Sequence, residues 1–141
     1  MKKYAEVQTS NRPIIQVVFT GENADETNFP FYMDEVKTVY EQQQQVAIIF
    51  DATKAVMPSL SFQKMQADWL KENEKLMKDF CAGTAYIIPS AIIRGVLKTI
   101  FAFQKQPVPY LICKTKTEAE FWVKQQLTTW KKSVQILKIC G

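Results

Sequence analysis

"VAIIFDATKAVMPSLSF", residues 46–62, decides how this chain is read. An unbroken apolar run, Val46 to Phe50, stops at Asp51. A short run without polar alternation fits a strand buried on both faces, the kind found in parallel sheets. A loop with Pro58, Ser59 and Ser61 follows, and from Phe62 the apolar residues take up a helical spacing. A buried strand leading through a loop into a helix is half of a β-α-β unit.

The same alternation continues to both sides. Upstream, Tyr4 to Thr9 and Pro13 to Thr20 read as two strands, and the polar residues around "SNR" suit an antiparallel connection. "GENADETN", residues 21–28, reads as a solvated acidic loop around Glu22, Asp25 and Glu26, with Asn28 capping a helix that has Pro30 in its first turn. Tyr32, Val36, Val39 and Tyr40 mark one face of that helix, and "QQQQ" at 42–45 closes it. Downstream, Phe62, Met65, Trp69, Leu76 and Phe80 predict one long helix, charged on its other side and broken by Gly83. "TAYII", 84–88, is a further strand; Ser90 caps a helix over "AIIRGVLKTIFAFQ"; "VPYLIC", 108–113, is the last strand. Thr117 and Glu120 have capping-box spacing, opening a helix with Ala119, Trp122, Val123, Leu127 and Trp130 on one face. The segment 131–141 is left as an extension, a short strand or an ordered tail. The order β-β-α-β-α-β-α-β-α predicts a single α/β domain over 1–141, with about five strands in a mixed, mainly parallel sheet covered by helices.

Composition narrows the chemistry. A chain of 141 residues, 47% apolar and 23% charged, has the size and balance of one globular domain. The net charge of +4 is modest, and Lys and Arg alternate with acids, which argues against nucleic acid as a partner. The chain has no histidine, which removes Ser-His and Cys-His pairs and the commonest metal ligand. Cys81, Cys113 and Cys140 form no CxxC pair, so they read as free thiols rather than disulfides or a zinc site. Four glycines allow no phosphate loop or dinucleotide fingerprint, so no cofactor is expected. The lysines at the N-terminus precede no signal-peptide core, and no apolar run approaches the roughly 20 residues of a membrane span. The expectation is a cytoplasmic protein.

Residues 13–127 resemble the SpoIIAA-like group of STAS-related bacterial proteins. The resemblance rests on the strand ending in Asp51, the helix around "ADWLKEN", the "AGTAYII" strand, the "RGVLKTIF" helix and the "TEAEFWV" helix start. It implies a small mixed sheet covered by helices and a role in protein–protein regulation, sometimes switched by serine phosphorylation. Nucleotide or lipid-type ligands occur in the wider family, and the CRAL-TRIO lipid-transfer fold is related. The phosphorylated members carry Asp-Ser-Ser-Gly at the helix start. Here Ser59 and Ser61 follow no Asp and precede no Gly, so the switch does not carry over on its motif.

Five residues stand out as binding candidates. Asp51 lies at a strand's carboxyl end, where open α/β sheets bind ligands, although a turn carboxylate is the plainer reading. Ser59 and Ser61 lie at a helix start, as caps or as phosphate sites. Arg94 and Lys98 share a face of a broadly apolar helix, 90–104, which reads as a buried element, as a seam for self-association or, least, as a membrane-surface contact. The expected function is a non-enzymatic interaction or regulatory domain, with a homodimer through the 90–104 helix. The alternative is a carrier for a small apolar or anionic, lipid-like or nucleotide, ligand.

Overall fold

The computed structural model describes residues 1–140; Gly141 and the side chains of 131–140 lie outside the described residues. The chain runs β1 (Ala5–Gln8), β2 (Ile14–Phe19), α1 (Asn28–Glu41), β3 (Val46–Asp51), α2 (Leu60–Glu72), α3 (Glu74–Phe80), β4 (Cys81–Ile87), α4 (Ala91–Phe103), β5 (Tyr110–Cys113) and α5 (Lys116–Cys140). The strands form one sheet in chain order, β1-β2-β3-β4-β5. β1 pairs antiparallel with β2, and the remaining pairs are parallel. This is an α/β fold on a five-stranded mixed sheet, as the alternation predicts.

Sequential order has a geometric consequence. Parallel connections that share one hand and step steadily across a sheet all land on the same face. The β2–β3, β3–β4 and β4–β5 crossovers accordingly place α1, α2, α3 and α4 over one common core. α5 follows the last strand, completes no crossover, and covers the opposite face. The period of two then sorts each strand between two cores. Val46, Ile48 and Phe50 face α1–α4, whereas Ala47 and Ile49 face α5. A cross-sheet row of Val7, Val17, Phe50, Tyr86 and Ile112 runs through the register; the next row, Gln8, Gln16, Ile49, Ala85 and Leu111, belongs to the other side.

Several sequence expectations need correcting. The long second helix is two. Asn73 ends α2, with its backbone N–H and its Nδ2 both donating to Trp69 O, 3.0 and 2.9 Å away, and its carbonyl accepts the N–H of Met77 at the start of α3. Within α2 the buried residues are Gln63, Ala67, Trp69 and Leu70, and Met65, placed on the apolar face by its spacing, is 38% exposed. Gly83 breaks no helix: it lies inside β4, whose register shifts between Val46/Cys81 and Ile48/Thr84. That bulge inserts one residue and brings Gly83 under the Trp122 ring. Asn28 is not the cap of α1. Thr27 holds that position with no side-chain bond, and Asp25, two residues upstream, braces the entry to the helix, its Oδ1 accepting the N–H groups of Thr27 and Asn28 at 2.8 and 2.6 Å while Asn28 Oδ1 accepts the N–H of Asp25. The acidic loop therefore holds a structural carboxylate. The hydrogen-bonded cap of α5 is Thr115 with Glu118, not Thr117 with Glu120. The segment 131–140, read as a short strand or an ordered tail, is instead a backbone continuation of α5 to Cys140.

Other readings hold. Ser90 caps α4, its Oγ accepting the Ile93 N–H at 3.4 Å. The glutamine run closes α1, with Gln43 in the left-handed region at φ 58. Cys81 and Cys113 are buried free thiols. No helix among the described residues is long and apolar enough to cross a membrane.

Candidate functional site

The two faces of the sheet are built for different purposes. Toward α5 the strands present small residues, Ala47, Ala82 and Ala85, so the helix can lie close. Toward α1–α4 they present large aromatic rings. Together with Tyr4, just before β1, and Phe101 of α4, they make a continuous row of ring contacts: Tyr4 to Phe19 at 5.4 Å between centroids, Phe19 to Phe50 at 6.4, Phe50 to Tyr86 at 5.0, Tyr86 to Phe101 at 6.0, and Phe101 to Tyr110 at 5.0. Rings that must meet at fixed angles leave gaps that branched aliphatic side chains would fill. Here the gap is a cavity of about 100 Å³ between the ring layer and the helices.

Its lining comes from the sheet, all of α1 to α4, the loop after β3 and Ile88 after β4, and contains no charged side chain among the described residues. Ala52, Val56 and Pro58 of that loop and Ile93 and Leu97 of α4 carry the lining toward the carboxyl ends of β3 and β4. Ligands of open α/β sheets bind at that edge.

Polar side chains also enter the lining, among them Gln63, Gln66, Trp69, Thr84 and Tyr86. Trp69 lies on the wall at 8% exposure, and its indole Nε1 has no acceptor among the described residues. Such an orphaned donor costs about 1–3 kcal/mol. Thr84 and Tyr86, both on the wall, are joined by Gln106, whose Nε2 donates to Thr84 Oγ1 at 3.1 Å and to Tyr86 Oη at 2.7 Å. Gln106 is 5% exposed, and its Oε1 has no partner among the described residues. Burial raises the hydroxyl pKa values of Tyr32, Tyr40 and Tyr86 well above the ordinary tyrosine value, and it pushes the Cys81 thiol up to about 11. All four are neutral at physiological pH, so the cavity offers dipoles and no charge.

The five sequence candidates lie around this cavity and not in its lining. Asp51 Oδ1 accepts the N–H of Thr53 at 3.0 Å and its hydroxyl at 2.6 Å, which is the turn geometry of an aspartate. Ser59 and Ser61 are exposed and bonded to each other, Oγ to Oγ 3.0 Å, and Ser59 makes no capping bond to α2. Gln63 ties the loop down instead, its Nε2 donating to Pro58 O at 2.9 Å. Arg94 Nη1 donates to the carbonyls of Ile88 and Pro89, both at 3.0 Å, and so clamps the loop between β4 and α4. Lys98 is exposed. Their chain neighbours form the wall, and they themselves form the outside of it.

The sequence places Trp69 on an apolar helix face, as core packing first and a cavity wall second, but does not reveal Thr84, Tyr86 and Gln106 beside it. Thr84 did carry a signal, as a polar residue in a buried strand on the same side as Tyr86. Gln106, between Lys105 and Pro107, carried none. Among the described residues no group of three or more His, Cys, Asp or Glu side chains is placed to hold a metal ion. No model of a known protein family matches the chain, and no curated protein matches it.

Proposed function

We propose that this chain is a non-enzymatic binding domain of the SpoIIAA-like, STAS-related kind, and that it holds a small apolar ligand between its sheet and α4. One observation carries this: an aromatic-walled, uncharged cavity whose lining reaches the carboxyl edge of the parallel strands. An interior packed to ordinary density leaves few voids larger than a water molecule, and concave apolar sites with a few placed polar groups are the usual form of small-molecule sites. The STAS-related kinship is supported by the antiparallel first pair followed by strand–helix repeats in chain order.

The deciding experiment is native mass spectrometry of freshly purified protein, repeated after denaturation. A monomer carrying extra mass that is lost on unfolding is the expected result. A bare dimer would instead favour regulation by protein contact. That second reading has its own observation: Ile92 and Phe103 of α4 are 68% and 51% exposed, and Leu60 at the start of α2 is 62% exposed. Under it, the 90–104 helix is the seam between two copies or with another protein.

A further inference from the structure

Independently of the cavity, the sheet ends in an open edge. We infer that β5 takes up an extended segment of a partner protein as a sixth strand, and that this segment is apolar at its centre and acidic at both ends. β5 is the last strand of the sheet. Its bonds to β4 fix which of its backbone groups are used. The Thr84 N–H donates to Pro109 O at 3.0 Å and the Ile88 N–H donates to Cys113 O at 2.8 Å. Alternate residues of a strand turn their backbone groups to the same neighbour. Positions 109, 111 and 113 therefore face β4, and Tyr110 and Ile112 turn their N–H and C=O groups outward. Among the described residues nothing pairs with those four groups. Pro109 costs the open side nothing, because its missing N–H lies on the β4 side.

Natural sheets guard such edges with charges set in the strand. β1, the opposite edge, carries Glu6, 3.5 Å from Lys3. β5 reads Tyr-Leu-Ile-Cys and holds no charge. Tyr110 is 46% exposed, and Leu111 and Ile112 are half-buried. A strand laid beside β5 would meet Tyr110 and Ile112 on the α4 side and Leu111 on the α5 side, so its centre is apolar. Charge sits at the two ends of the edge. Lys114 follows β5 directly, and Lys105 adjoins Gln106, whose side chain holds Thr84, the register partner of Tyr110. Both lysines are exposed and neither has an ion-pair partner among the described residues. Between Asp79 and Glu118 the chain carries Arg94, Lys98, Lys105, Lys114 and Lys116 and no acid. Glu118 and Glu120 are engaged with Thr115 and Lys116. A second copy at this edge would bring cations to cations, whereas a segment with terminal acids pairs them.

The probe is the acetylated, amidated peptide EEVTVTVEE, titrated into the isotope-labelled full chain and followed by amide NMR and hydrogen exchange. Slower exchange of the Tyr110 and Ile112 amides, with little change at Leu111 and Cys113, is the expected result. The charge-reversed peptide KKVTVTVKK should bind about tenfold more weakly. The acidic peptide with its five central amides N-methylated keeps its charge, loses its backbone donors and should not bind. Lys105→Ser combined with Lys114→Ser should weaken the acidic peptide about fivefold and leave the melting temperature unchanged. No binding of the acidic peptide, equal binding of the reversed or methylated one, or a response that spares Tyr110 and Ile112 overturns the inference. Slow exchange at Tyr110 and Ile112 that needs no peptide and grows with protein concentration assigns the edge to a second copy and overturns it as well.

Discussion

Gly83 lies where β4 approaches Trp122 of α5 closely. A Cβ built there would lie 2.9 and 3.1 Å from two atoms of the Trp122 ring and 3.2 Å from the carbonyl oxygen of Pro109. A rigid ring and a backbone atom cannot both yield, so Gly83→Ala is expected to destabilise by about 1–3 kcal/mol, read as a lower urea midpoint. Adding Trp122→Leu removes the main obstacle, and the two losses are then expected to sum to less than their separate values. Fully additive losses would place the strain elsewhere. Asp25 acts through charge. The N–H groups of Asn28 and Thr27 hold its carboxyl below the ordinary aspartate value. A depressed folded-state pKa contributes stability above the unfolded value of about 3.9, and that contribution is lost as pH falls through the folded value. Asp25→Ala should therefore lower the melting temperature at neutral pH and flatten its fall below about pH 4. Parallel acid profiles for the two proteins would mean that this brace does not contribute.

At the scale of elements, α4 carries a glycine inside its span. Gly95 lies exposed in its interior, and a Cβ there would meet nothing within 4 Å. Gly95→Ala should stabilise the protein by about 0.5–1 kcal/mol, because a helix-interior glycine gives up more backbone freedom on folding than alanine does. Slower hydrogen exchange confined to α4 would locate that gain. No change in midpoint would show that α4 is not helical enough for propensity to matter. Elements like α4 were legible in the sequence because Ser90, the apolar spacing and the following prolines all agree on its limits. The α2–α3 break was not legible, because Asn73 ends a helix by bonding back to Trp69 O, and the charged face continues on both sides of it. The i,i+4 pairs Lys75–Asp79 and Glu74–Lys78 in fact form on α3. The bulge at Gly83 was equally hidden, since only pairing with β3 reveals it. The cavity was least legible of all. Its wall draws on the sheet, four helices and the loop after β3, and the charged residues that attract the eye sit outside it.

At the scale of the molecule, the sheet divides the chain into a close-packed half under α5 and an aromatic half under α1–α4, and the second half stores a sensitivity to alkali. Burial lifts the Cys81 thiol to about 11 and the Tyr4 hydroxyl to about 12, and it raises Tyr32, Tyr40 and Tyr86 well above the ordinary tyrosine value. Each group is neutral when protonated, so the folded state binds protons more tightly than the unfolded chain does. That stability is fully present below the unfolded values, about 8.5 for cysteine and about 10 for tyrosine, and is lost as pH rises through the folded ones. The protein should hold a level melting temperature through neutrality and lose it steeply between roughly pH 9 and 12. Tyrosinate absorbance should then appear together with loss of ellipticity and not before it. Cys81, 2% exposed, should resist a thiol reagent at pH 8 until the chain unfolds. Tyrosinate formation well ahead of unfolding would mean that the aromatic half is open to water, and an apolar ligand could not be held there.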